Sequence, residues 1–454
     1  MAWGEILPYA GIESTKMERE SVFLANNFGL FANICYLCAD NYQTGNNMNN
    51  FTFYSPTEFC FGRGREQEVG QLCLKYGARR VMIVYGGGSV VRSGLLDRVK
   101  AALDAEQLPY CELGGVRPNP TDPKVYEGLE MARQFQPDFM LAVGGGSVID
   151  TAKTIAAGYY YEGDFWDFFV GKAKVGQCLP VGVVLTIPAA GSEGSGNAVI
   201  TNERTLQKLG IKQPMLLRPK FAVMNPELTM TLPEWQTASG ISDMMAHIME
   251  RYLTNTPDVQ IGDRMAEGIL LAIMEEAPKV IANPQDYDAR ANIMWCGTIA
   301  HNDTCSLGRQ EDWNSHAMEH EISAEYDVTH DAGLAVIFPA FLRYMADVHP
   351  HKVAQLAMRV LGIMPQLPAD ADINDTRTWP LAEQQRVARE GALKLKAWFH
   401  DVLHMPVTFA QLGIPEPNLL LLNTRLHQNK GAVMPGYFPL DADVTMQIYR
   451  LALE

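Results

Sequence analysis

Five side chains in the second half of the sequence have the types and spacing of metal ligands. Asp243 and His247 lie four positions apart in DMMAHIMERY, His316 and His320 repeat that interval in DWNSHAMEHE, and His330 follows them. In a helix that interval stacks two side chains on one face, so each pair can reach a common point. A carboxylate with three imidazoles is an N/O donor set suited to Fe(II) or Zn(II). An isolated Asp-x3-His pair has a second reading, a hydrogen bond along a helix surface, and the spacing alone leaves both open. His320 and Glu321 begin an H-E-x-x-H pattern, but position 324 is Ala, so the zinc-protease reading fails.

A second chemistry is suggested by two GGGS tracts. Gly86, Gly87, Gly88 and Ser89 follow the apolar run VMIVY, and Gly144, Gly145, Gly146 and Ser147 follow FMLAV. Successive glycines let the backbone approach a ligand and turn its N–H groups toward an anion, and a helix beginning there adds its positive end. A diphosphate suits such a turn. A bare strand-to-helix turn is the other reading, and the repetition in consecutive units weighs against it. Neither tract is G-x-G-x-x-G, so the usual dinucleotide fingerprint is absent.

These groups need rigid supports. From Val81 to about Ile200, short apolar runs such as VMIVY, FMLAV and VGVVLTIP alternate with helical stretches, the pattern of a parallel sheet covered on both faces. After Phe221 the pattern changes to long stretches of helical period, such as PEWQTASGISDMMAHIMERYL. The expected organisation is a Rossmann-like α/β nucleotide-binding domain over 48–226 and an all-α metal-binding domain over 227–454. Residues 1–47 are Asn-rich and irregular and read as an N-terminal extension outside the core. The alternating Phe and Tyr that begin at Met48, in MNNFTFYSPTEFCFGRG, predict a strand.

Composition limits the partners. A chain of 454 residues, 47% apolar and 20% charged, has an ordinary globular composition with room for two cores. Its formal charge of −15 offers no broad basic surface for nucleic acid or anionic lipid. No apolar run approaches membrane-spanning length, and the first twenty residues lack a signal-peptide pattern, so the expected compartment is the cytoplasm. Of the eight cysteines only Cys35 and Cys38 form a CxxC, and reduced thiols are expected throughout.

Taken together, the stretches NFTFYSPTEFCFGRG, VYGGGSVVRSG, GGVRPNP, LAVGGGSVIDTAK, LTIPAAGSEGSG, DMMAHIMERY and DWNSHAMEHEISAEYDVTHDAGLA resemble the iron-containing, or group III, alcohol dehydrogenases. The similarity is strongest to the butanol dehydrogenase and NADPH-dependent aldehyde reductase branch and runs from Met48 to the C-terminus. The resemblance implies a dehydroquinate-synthase-like fold, a homodimer, and a metal on Asp243, His247, His316 and His330, with Fe(II) favoured and Zn(II) the alternative. It places His320 near the nicotinamide as a catalytic candidate that does not ligate the metal. It assigns diphosphate binding to the second loop with Ser147 and Asp150, and further cofactor contacts to Thr186 and Lys208. Ala190 and the stretch Glu193–Asn197 depart from the forms expected of related members.

In NAD-using relatives an Asp matches Gly87. Here no carboxylate occurs in that turn before Asp97, while Ser89 and Arg92 follow it, so the resemblance implies NADP(H). The implied reaction is reversible hydride transfer between NADP(H) and a primary alcohol or aldehyde such as butanol or butanal. A metal-dependent lyase of the dehydroquinate synthase type and a catalytically silent nucleotide-binding protein are the alternatives.

Overall fold

The computed structural model describes residues 48–454. Residues 1–47, with Cys35, Cys38 and the expected extension, lie outside the described residues. Among the described residues eight strands form: β1 (Glu58–Phe61), β2 (Val81–Gly86), β3 (Tyr110–Val116), β4 (Phe139–Gly144), β5 (Val181–Leu185), β6 (Asn197–Asn202), β7 (Gln207–Lys212) and β8 (Phe221–Met224). Six make one parallel sheet in the order β1-β8-β5-β4-β2-β3, while β6 and β7 pair antiparallel beside it. Val81–Val84, Phe139–Val143 and Val183–Leu185 are buried throughout, because helices cover both faces of the sheet at these central strands. One apolar core lies on each face, with Met140, Ala142 and Ile155 in one and Leu141, Val143 and Val99 in the other.

The strand order fixes where a ligand can enter. From β2 the chain crosses to β3 on one side, then returns past β2 to β4 on the other. The connections leaving β2 and β4 therefore diverge, and a crevice opens at their C-terminal ends, the topological switch point of an open α/β sheet. Both GGGS tracts stand there, on adjacent strands whose ends pair Tyr85 with Val143.

After Met224 every described element is helical. The helices Glu234–Tyr252, Gln260–Ala282, Tyr287–His301, Asn314–Tyr326 and His330–Val348 share a separate apolar core that includes Ile241, Met245, Ile293, Phe338 and Phe341. Among the described residues no helix is long and apolar enough to cross a membrane.

Three expectations need correction. The strand expected from Met48 is confined to Glu58–Phe61; Phe51, Phe53 and Tyr54 are exposed and lie in no described strand, because alternation without a pairing partner does not make a ladder. The β6–β7 hairpin was not foreseen, since its polar strands NAVITN and QKLGIK lack a long apolar run. The helix after the first GGGS tract is a single turn, Ser89–Arg92, broken at Gly94 with φ 69° before Leu95–Ala105 begins. Only the second tract leads into a full helix, Gly146–Gly158.

Candidate functional site

The Glu234–Tyr252 helix is buried from Thr237 onward, which places Asp243 and His247 inside the protein. Donor atoms of Asp243, His316 and His330 come within 4.8 Å of one another. His316 Nε2 is 3.8 Å from Asp243 Oδ1. His247 flanks this trio, its Nδ1 3.1 Å from Asp243 Oδ1 and 3.0 Å from the Asp243 carbonyl oxygen, its ring centroid 4.4 Å from that of His316.

Both carboxylate oxygens of Asp243 and Nε2 of His316 are buried without a hydrogen-bond partner. Each such group costs roughly 1–3 kcal/mol when left unsatisfied, so their convergence calls for a partner that accepts lone pairs. A divalent cation is such a partner, and the residues fit one. Burial pushes His316 down to about 4. Burial acts to raise the Asp243 carboxyl, but the imidazoles of His247, His330 and His316 together outweigh it and hold it below its ordinary range. Burial likewise holds the His330 ring below its ordinary range, and unprotonated rings such as those of His316 and His330 are what metal ligation requires.

Three residues that sequence reading passed over complete the surroundings. Glu250 Oε1 accepts the His316 backbone N–H at 3.0 Å, and its other oxygen touches His316 Nδ1. Glu319 touches His330 Nδ1 in the same way. The signal was in the spacing: Glu250 lies seven positions after Asp243, and Glu319 three after His316, both on a shared helical face. His301, which belongs to no motif, sets its ring 4.5 Å from His247. Arg251 Nη2 donates to His301 Nδ1 at 2.9 Å, so the proton of this neutral ring sits on Nε2. The side-chain amide of Asn197 lies 3.0 Å from that Nε2, and its oxygen, which has no other partner, is the atom that belongs there.

His320 stands 5.4 Å from His330 and 6.3 Å from His316 between ring centroids, with its Nδ1 buried and unpaired. Burial, reinforced by Lys208 and His330, holds its ring well below the ordinary histidine range. The near-neutral titration expected of an unperturbed ring does not apply, and His320 is an unprotonated imidazole. Lys208 reaches in from β7 to Ser323 Oγ at 2.9 Å and Asn119 Oδ1 at 3.1 Å, with Glu319 3.7 Å away.

At the switch point, Gly86 to Ser89 and Gly144 to Ser147 stand side by side. Gly88 has φ 129°, a conformation that favours glycine, and a Cβ there would lie 3.0 Å from Arg92 Nη1, so the Arg92 guanidinium folds back over this turn. Thr186 N–H donates to the Gly144 carbonyl at 3.1 Å, tying the second loop to the end of β5. Asp150, one turn into the helix that follows the second loop, accepts from Ser192 Oγ at 2.6 Å and Val199 N–H at 2.9 Å. Beside it the fully buried Lys153 ammonium donates to the carbonyls of Ser192, Ser195 and Asn197 at 2.7, 2.9 and 2.9 Å. Asp150 and Lys153 thus hold the stretch Ser192–Val199 in place.

The segment Ile187–Gly191 straps the two halves of the site together. A Cβ at Gly146 would lie 3.6 Å from Ala190 Cβ, and one at Gly240, in the Glu234–Tyr252 helix, would lie 2.4 Å from the Pro188 carbonyl oxygen. The close approach at Gly240 brings the helix of Asp243 and His247 directly against the strap that borders the second glycine loop.

A parallel sheet open at its switch point, strapped to a helical bundle that buries a carboxylate–imidazole cluster, defines the dehydroquinate-synthase-like class. Within it, residues 56–226 match the iron-containing alcohol dehydrogenase family and residues 237–424 match that family's C-terminal region, and the chain belongs to this family. It is 40% identical over 407 residues to the probable NADH-dependent butanol dehydrogenase 2 of Bacillus subtilis, covering 89% of this chain and 100% of that one. It is 34% identical over 413 residues to the NADPH-dependent aldehyde reductase YqhD of Escherichia coli, with the same coverage. The crystal structure of NADH-dependent butanol dehydrogenase A from Thermotoga maritima superposes with a TM-score of 0.82 at 36% identity, over 90% of this chain and 100% of that one.

Proposed function

We propose that this chain is an NADP(H)-dependent alcohol dehydrogenase and aldehyde reductase that transfers hydride reversibly between the cofactor and a primary alcohol or aldehyde such as butanol or butanal. The observation that carries this reading is the convergence of donor atoms of Asp243, His316 and His330 within 4.8 Å of one another, with the Asp243 oxygens and His316 Nε2 buried and unpaired, next to a strap that borders a glycine loop. Asp243, His247, His316 and His330 would hold the divalent cation, Fe(II) or Zn(II). When bound, that cation supplies Lewis acidity toward the carbonyl oxygen and the nicotinamide supplies the hydride.

The chain's own residues orient and bind. Gly144, Gly145, Gly146 and Ser147 offer the start of the full helix Gly146–Gly158 to the diphosphate, with Thr186 fixing the loop. Gly86, Gly87, Gly88, Ser89 and Arg92 receive the adenosine ribose and its 2′-phosphate. Lys208 and the unprotonated His320 border the nicotinamide side, where His320 Nδ1 or Nε2 is available to take the proton of an alcohol hydroxyl. The α/β half up to residue 226 binds the nucleotide and the helical half binds the metal. The same reading carries a cytoplasmic location and a homodimer.

The lyase alternative needs free cations for an anionic substrate. Lys208 and Arg251 are the cations beside the cluster, and both donate within the protein, Arg251 to the His247 carbonyl and His301 and Lys208 to Asn119 and Ser323. The test is NADPH and NADH oxidation against an aldehyde panel after anaerobic reconstitution with Fe(II) or Zn(II). Turnover that requires the metal is expected; absence of hydride transfer with every aldehyde and both metals would overturn the proposal.

A further inference from the structure

The three imidazoles share one feature. Each turns its Nδ1 toward an acceptor: His247 toward the Asp243 carbonyl oxygen at 3.0 Å, His316 toward Glu250, and His330 toward Glu319. An imidazole that donates from Nδ1 carries its lone pair on Nε2, so all three would present the same nitrogen to a common cation. For His316 the two directions are explicit, with Nδ1 on Glu250 and Nε2 3.8 Å from Asp243 Oδ1.

We propose that Glu250 and Glu319 are positioning residues that fix the tautomer and ring orientation of His316 and His330, and that the absence of a side chain at Gly333 makes room for Glu319. The inference rests on the metal reading above. Glu250 holds its histidine at two points, the backbone N–H at 3.0 Å and the ring, so the start of the Asn314–Tyr326 helix and the imidazole it carries are set by one carboxylate from the Glu234–Tyr252 helix. Glu319 is fully buried and lies one turn after His316, yet it serves His330 on the next helix. Its path there is open only because position 333 has no side chain: a Cβ on Gly333 would stand 2.7 Å from both Glu319 Cγ and Oε1. Lys208, 3.7 Å from Glu319 Oε2, flanks the carboxylate from the nucleotide side. A carboxylate behind a ligating histidine raises its basicity and restricts its rotation, and its loss typically weakens metal affinity roughly 10- to 100-fold.

The test uses the full chain, stripped of metal with a chelator and titrated with Zn(II) against a chromophoric competitor, with binding stoichiometry read in the same experiment. Wild type should bind one equivalent. Glu319→Ala and Glu250→Ala should weaken binding by roughly 10- to 100-fold, whereas Glu319→Gln and Glu250→Gln, whose amide oxygens still accept from Nδ1, should lose less. Gly333→Ala keeps Glu319 in the chain but displaces it, and should reproduce the Glu319→Ala loss while tolerating the fold, since alanine suits a helix interior. The Co(II)-substituted proteins should show a shifted visible spectrum in the Ala variants alone. Unchanged affinity in Glu319→Ala, Glu250→Ala and Gly333→Ala overturns the inference while leaving the metal reading intact. Two equivalents in wild type, one of them lost in Glu319→Gln, would make Glu319 a ligand of its own ion and also overturn it. Failure of wild type to bind Zn(II) removes both readings.

Discussion

The choice between NADPH and NADH is set, on this reading, by one turn of backbone. Gly87 is exposed, and a Cβ added to it would meet nothing within 4 Å. Its φ lies outside the positive range that disfavours side chains, unlike that of Gly88. Gly87→Asp is therefore a substitution the fold tolerates, and its effect should fall on the cofactor. The Arg92 guanidinium lies back over Gly88, 3.0 Å from where a Cβ would stand, which puts it within reach of a new carboxylate at the preceding residue. An exposed pair of this kind stabilises by no more than about 1 kcal/mol. Diverting Arg92 from a 2′-phosphate costs more, about 1.5–3 kcal/mol for a charge-assisted hydrogen bond, or roughly 10- to 150-fold. The wild-type preference is expected to favour NADPH by at least about tenfold in kcat/KM, equivalent to ~1.4 kcal/mol. Gly87→Asp should erase that ratio or invert it, with most of the change in the KM for NADPH. The assay is initial-rate reduction of butanal with each cofactor at subsaturating concentration. Equal wild-type rates with both cofactors, or an unaltered ratio in the variant, would refute the reasoning.

His316→Ala and His330→Ala should each lower metal content in equilibrium dialysis and reduce turnover by orders of magnitude, whereas His320→Ala should retain the metal; full occupancy in the His316 variant contradicts the ligand set. Lys153→Met removes an ammonium shared by three backbone carbonyls in a fully buried site and should destabilise the chain by about 3 kcal/mol, read as a lower thermal midpoint; a loss under about 1 kcal/mol would show that the loop Ser192–Asn197 does not depend on it. Burial, with help from His349 and Lys352, pushes His351 down to about 3. The unfolded chain, titrating near its ordinary value of about 6.5, then binds more protons than the folded one below that pH, so stability is full above about 6.5 and declines as pH falls toward 3. Between pH 7 and 5, urea unfolding of His351→Gln should show a loss smaller than that of wild type by about 1–2 kcal/mol; identical losses would place the acid sensitivity elsewhere.

The elements visible in the sequence were those whose burial leaves a pattern. VMIVY, FMLAV and VGVVLTIP are apolar without alternation because they lie in a sheet covered on both faces, and they became β2, β4 and β5. The polar β6–β7 hairpin left no such trace, and the aromatic alternation at Phe51–Tyr54 suggested a strand that tertiary pairing does not supply. At the site, Asp243, His316 and His330 could be picked by residue type and spacing, and the structure brings their donor atoms together. What the spacing could not convey was contact between elements distant in sequence: Glu319 turned to His330 on the next helix, His301 wedged between His247 and Asn197, and Asp150 bonded to Ser192 and Val199. Each depends on how two elements cross, and no local pattern encodes that.

The pairing of β1 with β8 has a consequence for how the chain comes into being. Glu58 pairs with Phe221, and the Thr57 hydroxyl reaches the Pro219 carbonyl across 162 positions. During synthesis at about 5–20 residues per second, EFCF would leave the ribosome roughly 8–30 s before its partner strand exists. The β2–β4–β5 centre can assemble in that interval, because each of its strands follows its neighbour closely in the chain. The edge strand must wait with its ladder groups unpaired, next to the exposed Phe51, Phe53 and Tyr54. Long-range parallel pairing of this kind is slow and prone to association with other chains. This makes the interval before Met224 is made the stretch of biosynthesis in which a chaperone matters most to the yield of this protein.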